Sequence, residues 1–152
     1  MPAAAAEFAV GDLAISYDPA RWSFRGVQDG DPLVSRPDVF RATCTGCRGD
    51  DAVVVISVGD VVREESDSVL EPMWYRDRRQ TTMTVGELTF AITTIFSPCR
   101  NYVPPSITAR TVYRGRTYSL HSGAVVGCRG STMGVGHERF EDLLRGVHPR
   151  ED

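Results

Sequence analysis

Residues 88–96 read LTFAITTIF, a stretch in which large apolar side chains alternate with threonine and alanine. A period of two, carried by β-branched and aromatic residues, predicts a long β-strand. Further along, residues 107–113 and 117–126 flank Arg114-Gly115-Arg116, which is typical of a tight hairpin turn. The sequence therefore predicts three consecutive antiparallel strands.

Shorter strands are expected before this stretch. Phe8, Val10, Leu13 and Ile15 surround Gly11-Asp12, a pattern that predicts a short β-hairpin. After a turn over residues 18–22, we expect one strand to begin at Trp22 and another near Val39. Residues 52–58 are almost continuously β-branched, which predicts a central strand covered on both faces.

Two helices complete the expected architecture. Phe140, Leu143, Leu144 and Val147 form one apolar stripe at helical spacing, and Pro149 stops the helix. A short helix over residues 71–76 is expected because Pro72 suits a first turn. The predicted fold class is α+β, with a C-terminal amphipathic helix and one further short helix packed on a disulfide-bonded antiparallel β-sheet.

The length of 152 residues suits one domain. We expect residues 1–7 to be a disordered remnant of a signal-cleavage region, residues 8–149 to form a single α+β domain, and residues 150–152 to be a tail. The net charge of −3 argues against nucleic-acid binding, because phosphates attract a cationic surface. No apolar run approaches the roughly 20 residues that span a bilayer, so no membrane span is expected.

The order of these elements resembles the PsbP-like α-β-α sandwich superfamily. The resemblance rests on Phe8-x-Val10-x-x-Leu13-x-Ile15-Ser16-x-x-Pro19-x-x-Trp22, the long central hairpins and a closing helix with Phe140 and Leu143-Leu144. It covers most of the chain but not the four cysteines or Pro104-Pro105. The resemblance implies an antiparallel sheet with helices on its faces, in a superfamily of mainly accessory, chaperone or assembly proteins. It does not imply an enzyme.

Four cysteines, Cys44, Cys47, Cys99 and Cys128, follow an alanine-rich start at Ala3 to Ala6. An even cysteine count is typical of oxidising compartments, and the alanines resemble the remnant of a signal-peptide cleavage site. We therefore expect a periplasmic or secreted protein.

The Cys44-Thr45-Gly46-Cys47 motif has three possible interpretations: a structural disulfide, a redox dithiol, or half of a metal site. We favour the structural disulfide because a strand, rather than a helix that would stabilise a thiolate, follows the motif. The second expected disulfide joins Cys99 to Cys128, since the first and third strands of the meander should end at the same edge of the sheet. The interpretations of this motif as a redox dithiol or as part of a metal site stay open.

A partner-binding loop is expected at Arg100, Tyr102, Pro104 and Pro105, because a stiff aromatic-proline loop beside a disulfide is pre-organised. We find no catalytic motif, and His121, His137 and His148 are scattered. We therefore expect a non-enzymatic exported binding or accessory protein that acts through edge loops near Cys99 and Cys128. It would have no cofactor, no metal and a protein partner, as a monomer or a weak homo-oligomer. The alternative is a thiol-disulfide or metal-handling protein that uses Cys44 and Cys47.

Overall fold

The computed structural model describes residues 6–26, 39–46, 53–59, 77–96, 106–122, 135 and 137–150. These residues form mostly antiparallel β-structure with one helix, in an α+β arrangement. The elements are β1 Ala6–Val10, β2 Leu13–Tyr17, β3 Trp22–Gly26, β4 Val39–Cys44, β5 Val53–Val58, β6 Asp77–Val85, β7 Leu88–Phe96, β8 Ser106–Tyr113, β9 Arg116–Ser122, α1 His137–Arg145 and β10 Val147–Pro149.

A seven-stranded sheet in the order β3-β4-β5-β9-β8-β7-β6 forms the main layer. Each neighbouring pair is antiparallel, and β7, β8 and β9 form the predicted meander. β5 lies inside the sheet as expected, and residues on both of its faces, Val54 and Ser57 among them, are buried. In the hairpin turn between β8 and β9, Arg114 and Gly115 have φ angles of 50° and 76°. Positive φ at both central residues is typical of a type I′ turn, whose twist matches the right-handed twist of the two strands.

β6 is a strand that the sequence pattern did not predict. It pairs with β7 through the two-residue turn Gly86-Glu87, from Asp77 opposite Phe96 to Val85 opposite Leu88. Its residues are largely polar, as suits an outer strand of the sheet, and Met83 and Val85 pack against the core. The short helix expected at residues 71–76 lies outside the described residues.

A second, three-stranded sheet has the order β1-β2-β10. The predicted hairpin is present, with Val10 opposite Leu13 across Gly11-Asp12. β1 begins at Ala6, rather than at Phe8, because Ala6 pairs with Tyr17 and is part of the ladder. Arg150, which was expected in a tail, donates its backbone N–H to the Asp12 carbonyl at 2.9 Å. Ala6 and Glu7, which were expected in a disordered remnant, and Arg150 therefore take part in hydrogen-bonded structure.

α1 is the predicted C-terminal amphipathic helix, and it places Phe140, Leu143 and Leu144 in the core. The helix ends before Gly146, whose carbonyl accepts a hydrogen bond from the Ser16 N–H at 2.8 Å. A Cβ at Gly146 would collide with the Ser16 carbonyl oxygen, so glycine is required for this close approach. Within the described part of the chain, no helix is long and apolar enough to cross a membrane.

One hydrophobic core joins the large sheet, the small sheet and α1. It includes Ile56 and Phe90 from the large sheet, Ile15 from the small sheet and Phe140 from α1. At one margin of this core, the Phe8 ring stacks on Phe24 with centroids 5.0 Å apart. The two sheets therefore form a single packed unit around a shared apolar interior.

Candidate functional site

The register of the large sheet brings the ends of several strands to the same end of the sheet. β7 ends where β8 begins, with Ile95 opposite Ser106, and β9 ends beside the same point, with Ile107 opposite Ser122. The strand ends before Cys99 and Cys128 therefore share one edge of the sheet, as the meander predicts.

β4 ends at this same edge. Thr43 lies opposite Val53, and Val54 lies opposite Ser122, so the last residue of β4, Cys44, is on the side where β9 ends. We call this margin the cysteine edge; it is defined by Cys44, Val53, Phe96, Ser106 and Ser122. The chain segments that carry all four cysteines leave the sheet there.

The sequence-predicted binding residues, Arg100, Tyr102, Pro104 and Pro105, belong to the segment that connects β7 to β8 and lie outside the described residues. Cys47, Cys99 and Cys128 also lie outside them. The pairs Cys44–Cys47 and Cys99–Cys128 therefore stay predictions. Because all four cysteines follow strands that end at one edge, the topology by itself is compatible with other pairings as well.

Cys44 is the one predicted site residue that the structure describes. It lies opposite Trp22 in the ladder, and its side chain is only 5% exposed. The chain turns directly after it: the Thr45 N–H donates to the Arg21 carbonyl at 2.7 Å, and Gly46 has φ 78°. Cys44 thus ends a strand, and residues 39–46 contain no helix.

A polar cluster that the sequence analysis missed lies on the small sheet. Glu7, Ser16 and His148 come from β1, β2 and β10. His148 Nε2 is 2.9 Å from Glu7 Oε1 and 3.1 Å from Ser16 Oγ. His148 Nδ1 lies 2.9 Å from the Pro149 carbonyl oxygen. No local motif marks this cluster, because Ser16 and His148 are 132 positions apart.

The geometry of this cluster differs from that of a serine-hydrolase triad. A triad places the serine on one ring nitrogen of histidine and the carboxylate on the other. Here Glu7 and Ser16 both contact Nε2, and Ser16 Oγ also donates to Glu7 Oε1 at 3.2 Å. Since Glu7 competes with Ser16 for the same nitrogen, the cluster is suited to tying three strands together and not to activating a nucleophile.

The remaining histidines are separate from this cluster. His121 lies on β9, where its Nδ1 is 2.8 Å from Thr108 Oγ1. His137 begins α1. Among the described residues, no group of three or more histidine, cysteine, aspartate or glutamate side chains is placed to hold a metal ion.

A shallow groove of about 620 Å³ lies at the end of the sheet opposite the cysteine edge. Its lining includes Thr89, Ala91 and Thr117, together with Val112, whose side chain is 68% exposed. The lining also includes the charged side chains of Glu87 and Arg110.

Together, the two sheets and α1 define an α+β protein with the PsbP-like fold. The structure is similar to the solution structure of cyanobacterial PsbP (CyanoP) from Synechocystis sp. PCC 6803, with a TM-score of 0.52 and 10% sequence identity over 97% of this chain and 94% of that chain. No family model and no curated protein matches the sequence. The similarity confirms the fold that the sequence resemblance implied.

Proposed function

We propose that this chain is a non-enzymatic exported binding or accessory protein that docks a protein partner at the cysteine edge. The segment with Arg100, Tyr102, Pro104 and Pro105 would make the contact. The observation that carries the proposal is the register of β7, β8 and β9, which joins the segments after β7 and β9 to neighbouring points of one rigid sheet.

Binding loops are commonly displayed by a rigid scaffold in this way. The scaffold at this edge is well packed, since Ile107 is 1% exposed and Ser122 is fully buried. Disulfides within the cysteine edge would lower the conformational entropy that the loops lose on binding. Export is supported by the four cysteines.

The geometry of Glu7, Ser16 and His148 supports the non-enzymatic part of the proposal. This is the described cluster that most resembles catalytic machinery, and its carboxylate occupies the nitrogen that a serine nucleophile needs. The PsbP-like fold is compatible with a role in binding but does not by itself specify one.

A pull-down with cross-linking tests this proposal. We expect the double variant R100A/Y102A to lose a partner that the wild-type protein captures from an extracytoplasmic extract. The control is E87A/R116A, which removes two exposed side chains at the opposite end of the sheet, Glu87 in one hairpin turn and Arg116 directly after the other. Retention of the partner by R100A/Y102A, or equal loss in both double variants, would contradict docking at the cysteine edge.

The second candidate function is thiol-disulfide exchange or metal handling by Cys44 and Cys47. The convergence of the strands that precede all four cysteines favours it, because disulfide exchange requires sulfur atoms to approach one another. A redox titration combined with metal analysis of the native protein separates the two proposals. A structural pair would be reduced only below about −300 mV, whereas a redox pair would titrate at a higher potential.

A further inference from the structure

β6 is an outer strand of the seven-stranded sheet, and no strand in the described part of the chain pairs with its free side. The strand is nine residues long. From Arg79 to Thr84 its side chains are exposed, except for the half-buried Met83. An exposed edge of this length presents backbone N–H and C=O groups that another strand can pair with.

The turn between β6 and β7 identifies which backbone groups face outward. In a two-residue hairpin the residues flanking the turn form a hydrogen-bonded pair, here Val85 and Leu88. Antiparallel ladders alternate, so the N–H and C=O of Thr84, Thr82 and Gln80 point away from β7. These three residues therefore offer both a donor and an acceptor to an added strand.

The exposed part of β6 carries one charged residue, Arg79, at its start and otherwise lacks the usual protection of an outer strand. Proteins guard such edges with charged residues, proline, bulges or short length. Residues 80–85 read QTTMTV and contain neither a charge nor a proline. β3, at the other edge of the sheet, has only five residues and carries the exposed Arg25.

We propose that β6 pairs with β6 of a second copy of this protein, antiparallel, about a two-fold axis at Thr81. Full overlap of two strands that each span residues 77–85 gives the following opposed pairs: Asp77 with Val85, Arg78 with Thr84, Arg79 with Met83, Gln80 with Thr82, and Thr81 with Thr81 of the second copy.

This register satisfies two independent requirements. Each charged residue lies opposite an uncharged one, so no like charges oppose each other across the interface. The outward-facing residues also meet one another, since Gln80 lies opposite Thr82 and both direct their backbone groups to the free side. Moving the axis to Arg79 would place two arginines opposite each other, which is unfavourable.

The interface would be small, because each copy contributes one strand. Interfaces below about 1,200 Å² are typical of transient association, so the monomer and dimer interconvert with protein concentration. The proposal is independent of partner docking at the cysteine edge.

Sedimentation velocity of the wild-type protein at concentrations up to about 1 mM, the range of weak association, tests the proposal. We expect a reversible dimer whose population rises with concentration. Hydrogen exchange at Gln80, Thr82 and Thr84 amides should slow as the dimer forms. A protein that remains monomeric over the whole range, or a dimer without slower exchange at these amides, would overturn the proposal.

Substitutions test the register. Thr82→Pro removes an outward N–H without affecting the ladder to β7, and we expect dimerisation to weaken by about tenfold or more. Thr82→Ala keeps the N–H and should dimerise like the wild type.

Thr81→Arg and Thr81→Glu should each weaken the homodimer by up to about fivefold, because like charges then meet on the axis. An equimolar mixture of the two should associate at least as tightly as the wild type, whereas no recovery would refute the two-fold axis at Thr81.

Discussion

The hydroxyl of Tyr118 accepts a hydrogen bond from the backbone N–H of Asp12 at 2.8 Å. Tyr118 lies on β9 in the large sheet, and Asp12 lies in the turn of the small sheet, so this bond joins the two sheets. The Tyr118 side chain is 1% exposed, which places the bond against the core. Gly11 is needed beside it, because a Cβ at that position would meet the hydroxyl.

Replacing Tyr118 with phenylalanine should lower the free energy of unfolding by about 1 kcal/mol, the typical net value of one hydrogen bond. The ring would still fill its site, but the Asp12 N–H would lose its partner. Urea denaturation gives the change. Tyr113→Phe is the matched control, since Tyr113 is half-buried. An equal effect in both variants would show that the Tyr118 hydrogen bond contributes nothing specific.

Replacing Gly146 with alanine should destabilise the protein by about 1–3 kcal/mol, the usual cost of overpacking. The added Cβ would collide with the Ser16 backbone carbonyl and force β2 away from the end of α1. Thermal unfolding measures the change. The control is Gly26→Ala, where a Cβ meets open space. Unchanged stability in Gly146→Ala would contradict the close approach of these two segments.

Ser122 connects the end of β9 to the segment that leads into α1. Its hydroxyl accepts a hydrogen bond from the Val135 N–H at 2.9 Å, and Ser122 is fully buried. Ser122→Ala should cost about 1–3 kcal/mol, because a buried donor is left without its partner. Chemical denaturation measures this loss, with the exposed Ser23→Ala as control. Similar small losses of stability in both variants would argue against a stabilising hydrogen bond between Val135 and Ser122.

Ser57 and Ser119 lie opposite each other on β5 and β9, each 1% exposed. Neither hydroxyl has a hydrogen-bond partner among the described residues. Burying such a group without a partner is unfavourable, so Ser57→Ala and Ser119→Ala should leave the free energy of unfolding unchanged or raise it by up to about 1 kcal/mol. A loss of stability in urea denaturation would reveal a hydrogen bond that these hydroxyls make.

Much of the fold follows from local pattern. The alternation in residues 88–96 predicts β7, Arg114-Gly115 predicts the turn that follows β8, and the apolar spacing of Phe140, Leu143 and Leu144 predicts α1. Val147, which was expected in the same helix, lies in β10 instead, because the helix ends at Arg145. Each of these elements buries one face in the core, so its periodicity is strong. The fold resemblance that these elements carry is confirmed.

The sequence pattern does not predict strands β6 and β10, and each case has a physical reason. β6 is an outer strand whose exposed side chains need no apolar alternation, and its remaining signal is the threonine-rich run before Gly86-Glu87. β10 has only three residues and ends at Pro149. It is a strand because β2 pairs with it, and such pairing is not encoded in its own three residues.

Neighbouring residues thus specified most strands, the helix and their order, since backbone preference and apolar periodicity act over a few positions. Tertiary packing alone decided which strands became edges, and it placed the strand ends that precede all four cysteines at one margin. It also brought Asp12 to Tyr118 and Ser16 to His148, across 106 and 132 positions. Contacts at such separations depend on how sheets stack and register, and no local pattern carries that information.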